Sequence, residues 1–221
     1  MLRGILVTTF YMLLLASLLF FSAGRLDWPM AWTALGAYVL TSALSIAFAD
    51  RDLVAERGRM RTDGSRRDAA LAAISFLFFY PITLVIAGLD VGRFLWTPEY
   101  SLGWQLLAFI IYVLGNLLGL WAVICNRFFS TFARIQDDRG HHIVTHGPYQ
   151  TIRHPGYAGT ILAAIALPLV LGSLWALIPA VVGAAGYVVR TALEDATLQQ
   201  ELAGYSAYAN RVKYKLIPGL W

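Results

Sequence analysis

Six stretches of this chain are apolar over lengths close to the thickness of a lipid bilayer, and that restricts its fold more than any other feature. Gly4 to Ala23 is almost wholly apolar after Arg3, and further runs cover about 31–49, 69–89, 101–124, 157–171 and 174–189. A hydrocarbon core of about 30 Å is crossed by about 20 helical residues. Inside it each backbone N–H and C=O must be paired within the protein, which leaves helices as the open-ended solution. The composition agrees: 58% of residues are hydrophobic, 14% are charged and mean hydropathy is +0.62, against roughly a quarter charged in soluble domains. The expected fold is all-α, a polytopic membrane helix bundle of five to six transmembrane helices with a closing helical hairpin and a cytoplasmic C-terminal helix.

The charges set the topology. Arg51, Arg57, Arg59, Arg61, Arg66 and Arg67 crowd one connection, Arg127, Arg134, Arg139 and Arg153 another, and Arg190, Arg211, Lys213 and Lys215 the tail. Loops alternately rich and poor in Lys and Arg mark the two sides of a membrane. With the amino terminus inside, every basic loop is cytoplasmic and the Arg25 and Arg93 loops are external. The net charge of +4 is therefore a topology signal and not a sign of a nucleic-acid partner. The first apolar run exceeds a secretory h-region, and Phe21-Ser22-Ala23 lacks a small-x-small cleavage site, so it reads as a retained span. Cys125 is the sole cysteine, which excludes an internal disulfide or a thiolate metal cluster.

Local signals refine this. Trp28 and Trp32 read as interfacial anchors, and the 50–68 stretch as an exposed charged connector. Gly115-x-x-x-Gly119 permits close helix packing, within the chain rather than between copies. Pro168 and Pro179 are candidate kinks in two runs that are short for perpendicular crossings. Gly183-Ala184-Ala185-Gly186 lies inside an apolar helix and is no nucleotide fingerprint. Residues 1–124 form four amino-terminal spans. Residues 125–221 supply a loop, the closing hairpin and the tail, where the chemistry is expected.

That loop is informative. From His141 through His146-Gly147-Pro148-Tyr149 to Arg153-His154-Pro155-Gly156-Tyr157-Ala158-Gly159, the two prolines disfavour helix at Gly147 and His154 just before an apolar helix begins. Irregular backbone at membrane depth must be buried or line a wet cavity. A polar cofactor pocket satisfies that condition, with glycines for close approach, tyrosine rings for stacking, and Arg153 and His154 to face a carboxylate. The alternatives are that Arg153 snorkels to the interface and that the histidines cap helices. Four histidines lie within fourteen residues, but no H-E-x-x-H pattern or spaced carboxylate accompanies them, so no metal is assigned. If the last apolar helix continues, Arg190 and Glu194 lie one turn apart on the same face. They read either as an ion pair at the membrane edge, or as Arg190 orienting a substrate anion while Glu194 accepts from a cofactor.

Gly147-Pro148-Tyr149, Arg153-His154-Pro155-Gly156-Tyr157-Ala158-Gly159, then Arg190 with Glu194-Asp195 and Leu198, resemble the isoprenylcysteine carboxyl methyltransferase and phospholipid methyltransferase superfamily. The tail from Glu201 through Tyr208, Arg211-Val212 and Pro218-Gly219 is similar to bacterial members. The resemblance covers about 85 carboxy-terminal residues. It implies an integral membrane enzyme of the bacterial cytoplasmic membrane, with S-adenosyl-L-methionine bound at the cytoplasmic face. By position the cofactor residues are Gln136, His141, Ile143, Val144, Tyr149, His154, Pro155, Gly156, Tyr157 and Glu194. Arg190, with Arg153, faces the substrate, and Arg190 and Glu194 are the catalytic pair. The chain departs from the family at Asp195, where a second glutamate is usual, at Leu202-Ala203-Gly204-Tyr205, where many members have Phe-Gly, and in a shorter loop around Gln136.

Methyl transfer from a sulfonium demands positioning above all. A carboxylate acceptor needs no general base, whereas an amine needs one. The expected activity is therefore methylation of a lipophilic carboxylate drawn from the bilayer, with membrane lipids as surroundings and oligomeric state undetermined. Phospholipid or amine N-methylation on the same fold, and a nicotinamide-dependent sterol-type membrane reductase, are the alternatives.

Overall fold

The computed structural model describes residues 2–53, 66–129 and 135–221. Arg57, Arg59, Arg61 and Arg134 of the basic loops lie outside the described residues. Helix α1 spans Leu2–Ala23 and α2 spans Pro29–Phe48. Helix α3 begins at Arg66–Leu77 and runs on through a π turn at Phe78–Ile82, a helical stretch at Thr83–Gly88 and a second π turn at Leu89–Phe94. Helix α4 is Leu102–Cys125, α5 Pro155–Leu171, α6 Leu177–Glu201 and α7 Tyr205–Arg211. Among the described residues four helices are long and apolar enough to cross a membrane: Pro29–Phe48, Arg67–Phe94, Leu102–Cys125 and Leu177–Glu201. Thr8–Ala23 and Pro155–Leu171 are shorter apolar helices. The chain is a polytopic helical bundle and an integral membrane protein.

Several boundaries differ from those expected. The third apolar helix starts at Arg66 rather than near 69, so Asp68 stands in its first turn and not in an exposed connector. It also extends past 89 to Phe94. Pro81 sits in the first π turn, where a missing N–H is absorbed by a widened turn, and the Thr83 hydroxyl donates to the Phe78 carbonyl at 2.7 Å. The last run is not short: α6 continues through polar residues to Glu201, because its far end packs against protein. Trp28 is not an interfacial anchor. It is buried in the core at the start of α2, whereas Trp32 is exposed and stacks on Phe20 at 4.5 Å.

Helices α4 and α5 approach backbone to backbone. A Cβ added to Gly159 would come within 2.6 Å of the Gly115 carbonyl oxygen and of the Gly119 nitrogen. Only bare backbone fits there, the packing within one chain that Gly115-x-x-x-Gly119 suggested. At one end of the bundle Asp90, fully buried, accepts from the Thr97 amide (2.7 Å), the Thr97 hydroxyl (2.6 Å) and the Ser173 hydroxyl (2.6 Å). Arg93 donates to the Ser22 and Phe21 carbonyls at the end of α1, at 2.6 and 2.8 Å. At the other end Arg127 reaches Asp52 at 3.3 Å, which brings the connections after α2 and α4 together.

Gly159→Ala should therefore cost about 1–3 kcal/mol of stability, the usual penalty of overpacking. Gly119→Ala, which has nothing within 4 Å of the new carbon, should leave the melting temperature of the detergent-solubilised protein unchanged or slightly raised.

Candidate functional site

The 135–154 connection is folded by its own polar groups. Gln136 is buried; its amide donates to the Phe128 carbonyl at 2.6 Å and its side-chain oxygen accepts from Arg139. The Phe128 ring faces His141 at 4.6 Å and His142 at 4.8 Å. Gly147 has φ +60°, and a Cβ there would lie 2.6 Å from Cys125 Sγ. The positive φ is what calls for glycine here. The short 3-10 turn Gly147–Gln150 then drives Tyr149 inward. Its hydroxyl accepts from Asn126 at 3.1 Å, and Tyr208 donates to its carbonyl at 2.7 Å. Burial raises the phenols of Tyr149, Tyr205 and Tyr208, the last to about 12. All three are therefore hydrogen-bond donors at neutral pH.

From Ile152 the chain runs beside the tail. Ile152 and Tyr214 form a parallel bridge, and the Arg153 and His154 amides donate to the Tyr214 and Lys215 carbonyls, each at 2.9 Å. The Arg153 side chain makes a two-point contact with Asp195, Nε to Oδ1 at 2.7 Å and Nη2 to Oδ2 at 3.0 Å. Its Nη1 donates to the Val212 and Lys213 carbonyls at 2.8 and 3.1 Å. Asp195 also meets His154 Nε2 at 3.2 Å, Gln199 at 2.8 Å and the Tyr205 hydroxyl at 3.1 Å. The carboxylate that Arg153 and His154 face is thus the chain's own. Pro155 opens α5 as its first residue, and Gly156 lets the Phe129 ring close against the backbone.

These contacts surround one cavity. Gln136, His141, Ile143, Val144, Tyr149, Arg153, His154, Tyr157 and Glu194 line it, with Phe128, Phe129, Leu198, Leu202, Tyr205 and Tyr208 among the residues that complete its wall. Pro155, Gly156 and Arg190 are not on that wall. Tyr157 donates to Glu194, stacks parallel to His154 and carries the Arg190 guanidinium over its ring at 5.2 Å. Arg190 and Glu194 share a face of α6 and are close enough to interact electrostatically. Arg190 is buried and makes a two-point contact with Asp68, at 2.7 and 3.2 Å.

Two residues of the site stand out little in the sequence: Asp195 reads as a departure from a motif, and Asp68 as one acid of a charged connector. A topological count could have found Asp68: it is the last acid before the third apolar run, and Arg190 is the first cation after the last one, on the same side of the membrane.

The fold and cavity define an integral membrane protein that gathers its polar and aromatic side chains at one end of an apolar bundle. Residues 104–203 match the Phospholipid methyltransferase family. Over 110 residues the chain is 26% identical to the probable protein-S-isoprenylcysteine O-methyltransferase of Oryza sativa subsp. japonica, covering 48% of this chain and 58% of that protein. Over 139 residues it is 28% identical to protein-S-isoprenylcysteine O-methyltransferase B of Arabidopsis thaliana, covering 60% and 71%. Protein A of the same plant is 27% identical over 103 residues, covering 46% and 48%. The chain thus spans less than two thirds of the length of the rice relative it matches. These matches fall on the part of the chain around the cavity and agree with the superfamily of membrane methyltransferases that its motifs resemble.

Asp195→Ala should leave Arg153 buried and unpaired, at a cost of about 3–5 kcal/mol. Asp195→Asn, which keeps some of the hydrogen bonds, should cost less. Thermal melts of the two variants check the order.

Proposed function

We propose that the chain is an S-adenosylmethionine-dependent methyltransferase acting on a lipophilic carboxylate. One observation carries the reading: Ile143, Val144, Tyr149, His154, Tyr157 and Glu194, spread over the connection, α5 and α6, converge on a single cavity. Its wall suits the cofactor. Tyrosine, phenylalanine and histidine rings offer faces to a heterocycle and to a cation, and Glu194 offers a carboxylate to an ammonium or hydroxyl group. When bound, S-adenosylmethionine supplies a sulfonium methyl: an O–CH3 bond forms to the acceptor carboxylate as the S–CH3 bond breaks and its electron pair returns to sulfur.

The residues of the chain do the positioning. Tyr157 holds Glu194 in place through its hydroxyl, and Asp195 holds Arg153 and His154 so that the loop forms a firm wall. Preorganised walls of this kind set reacting atoms in line. Arg190, behind Tyr157, is the cation we assign to the acceptor. The carboxylate class is supported by the plant relatives, which are named isoprenylcysteine O-methyltransferases. The reductase alternative is disfavoured by charge: Arg153, the guanidinium on the cavity wall, is committed to Asp195, whereas a 2′-phosphate calls for uncommitted cations. We assign residues 125–221 as the catalytic unit and 1–124 as its supporting spans. The cavity end is assigned to the cytoplasmic side because Arg51, Arg127, Arg139, Lys213 and Lys215 gather there.

Glu194→Ala should raise the S-adenosylmethionine Kd by at least about tenfold, as expected for loss of a charged partner of a bound ligand. Calorimetry in detergent measures it, and an unchanged Kd would show that the cofactor site is elsewhere. In a Cys125→Ala background, His142→Cys should be shielded from an external impermeant maleimide in intact cells while Leu26→Cys is labelled. The reverse pattern would invert the topology.

A further inference from the structure

We propose that Asp68 is a positioning residue for the methyl acceptor, acting through Arg190; this rests on the methyltransferase reading above. Asp68 lies in the first turn of α3 and Arg190 on α6, 122 residues apart in sequence. The two side chains meet edge to edge, Nε to Oδ1 at 2.7 Å and Nη2 to Oδ2 at 3.2 Å, with 4% of the arginine and 13% of the aspartate side chain exposed. A two-point contact fixes the plane of a guanidinium as well as its place, which a single contact does not. The same guanidinium lies over the Tyr157 ring at 5.2 Å and the Tyr187 ring at 5.9 Å. Three elements therefore define its orientation: the start of α3, the start of α5 and the middle of α6.

The position of this unit gives it a role beyond packing. Tyr157 is shared: one face carries Arg190, and its hydroxyl holds Glu194 on the cavity wall. The arginine assigned to the acceptor and the glutamate assigned to the cofactor are thus fixed to one phenol. Their relative placement depends on what sets the guanidinium, and Asp68 supplies its two-point contact. A carboxylate in the first turn of a helix is itself favoured by the helix dipole, so Asp68 is anchored from its own side too. The in-line geometry of methyl transfer is sensitive to small misplacements. Releasing one edge of Arg190 should therefore slow the chemical step while leaving the cofactor bound.

The test uses the full chain in detergent, with labelled S-adenosylmethionine and N-acetyl-S-farnesylcysteine, a small isoprenylcysteine carboxylate, as the acceptor probe. Asp68→Asn should lower kcat by about tenfold or more, with the S-adenosylmethionine Kd and the acceptor KM each changed by less than about threefold. Asp68→Glu, which can restore a two-point contact, should recover most of the turnover. Arg190→Lys, which cannot make one, should resemble Asp68→Asn even where it folds better. Asp68→Asn with kcat within about twofold of the parent, but a lower melting temperature, would reduce the pair to a structural one and overturn the inference. A parallel rise in cofactor Kd would overturn it as well, by placing the effect on the Glu194 side. A parent that binds S-adenosylmethionine yet leaves the probe unmethylated would overturn the carboxylate-acceptor form. A parent that binds no S-adenosylmethionine would overturn the functional reading on which the inference rests.

Discussion

The buried carboxylate of Asp195 joins three parts of the chain. It projects from α6, takes both edge nitrogens of Arg153 and the ring nitrogen of His154 from the connection before α5, and accepts from Tyr205 at the start of α7. Arg153 in turn caps the Val212 and Lys213 carbonyls of the tail. A carboxylate and a guanidinium leave water at large cost, and that cost is met only when the remaining donors and acceptors are satisfied. Here they are, by side chains and by backbone carbonyls. The irregular connection can therefore lie against an apolar bundle without stranding its polar groups. The cavity is what remains between the elements that this network holds together.

The far end of the bundle solves the same problem with different chemistry. Asp90 is as deeply buried as Asp195, yet its partners are hydroxyls and an amide from Thr97 and Ser173. It ties the end of α3 to the loop before α4 and to the turn between α5 and α6. The two ends share a strategy: a helix-borne carboxylate closes the loops that face it. At the Asp195 end there is also a space lined by aromatic rings. Between the ends, the bare-backbone contact of Gly115 with Gly159 seats α5 against α4. That contact fixes where α5 begins, and hence where His154 and Tyr157 stand relative to α6.

Much of this was legible in the sequence, and the rest was not for identifiable reasons. Apolar run length located helices α1 to α6 among the described residues, because lipid imposes one solution for the backbone. Pro148, Pro155 and Gly147 located the turning loop, since their backbone preferences are local. Helix ends were less legible. Asp68 reads as part of an exposed connector and Asp195 only as a departure from a motif, but each pairs with an arginine distant in the chain. Trp28 failed for the same reason, its amphipathic ring being claimed by the core. The cavity residues Ile143, Val144, Tyr149, His154, Tyr157 and Glu194 came together as a group. The roles of the arginines did not follow from their spacing, because the partner of a cation is set by tertiary contact and not by distance along the chain.

Those arginine partners bear on how a site at a membrane edge can recognise charge. A free guanidinium facing a low-dielectric interior would hold any carboxylate or lipid phosphate strongly and without much selection. In this chain Arg153 and Arg190 each carry a carboxylate from another part of the fold, Asp195 and Asp68. Pairing lowers the charge that the site presents to lipid headgroups while keeping the guanidinium planes fixed. On the proposed reading, selection then falls to shape and hydrogen-bond direction, which would distinguish one lipophilic acceptor from the surrounding lipids better than net charge does. Glu194 is treated differently: it is held by a neutral phenol, so its charge is not offset by its Tyr157 partner. On the methyltransferase reading proposed above, that carboxylate is the one the wall offers to a cationic cofactor, while the two cations around it are moderated by internal acids.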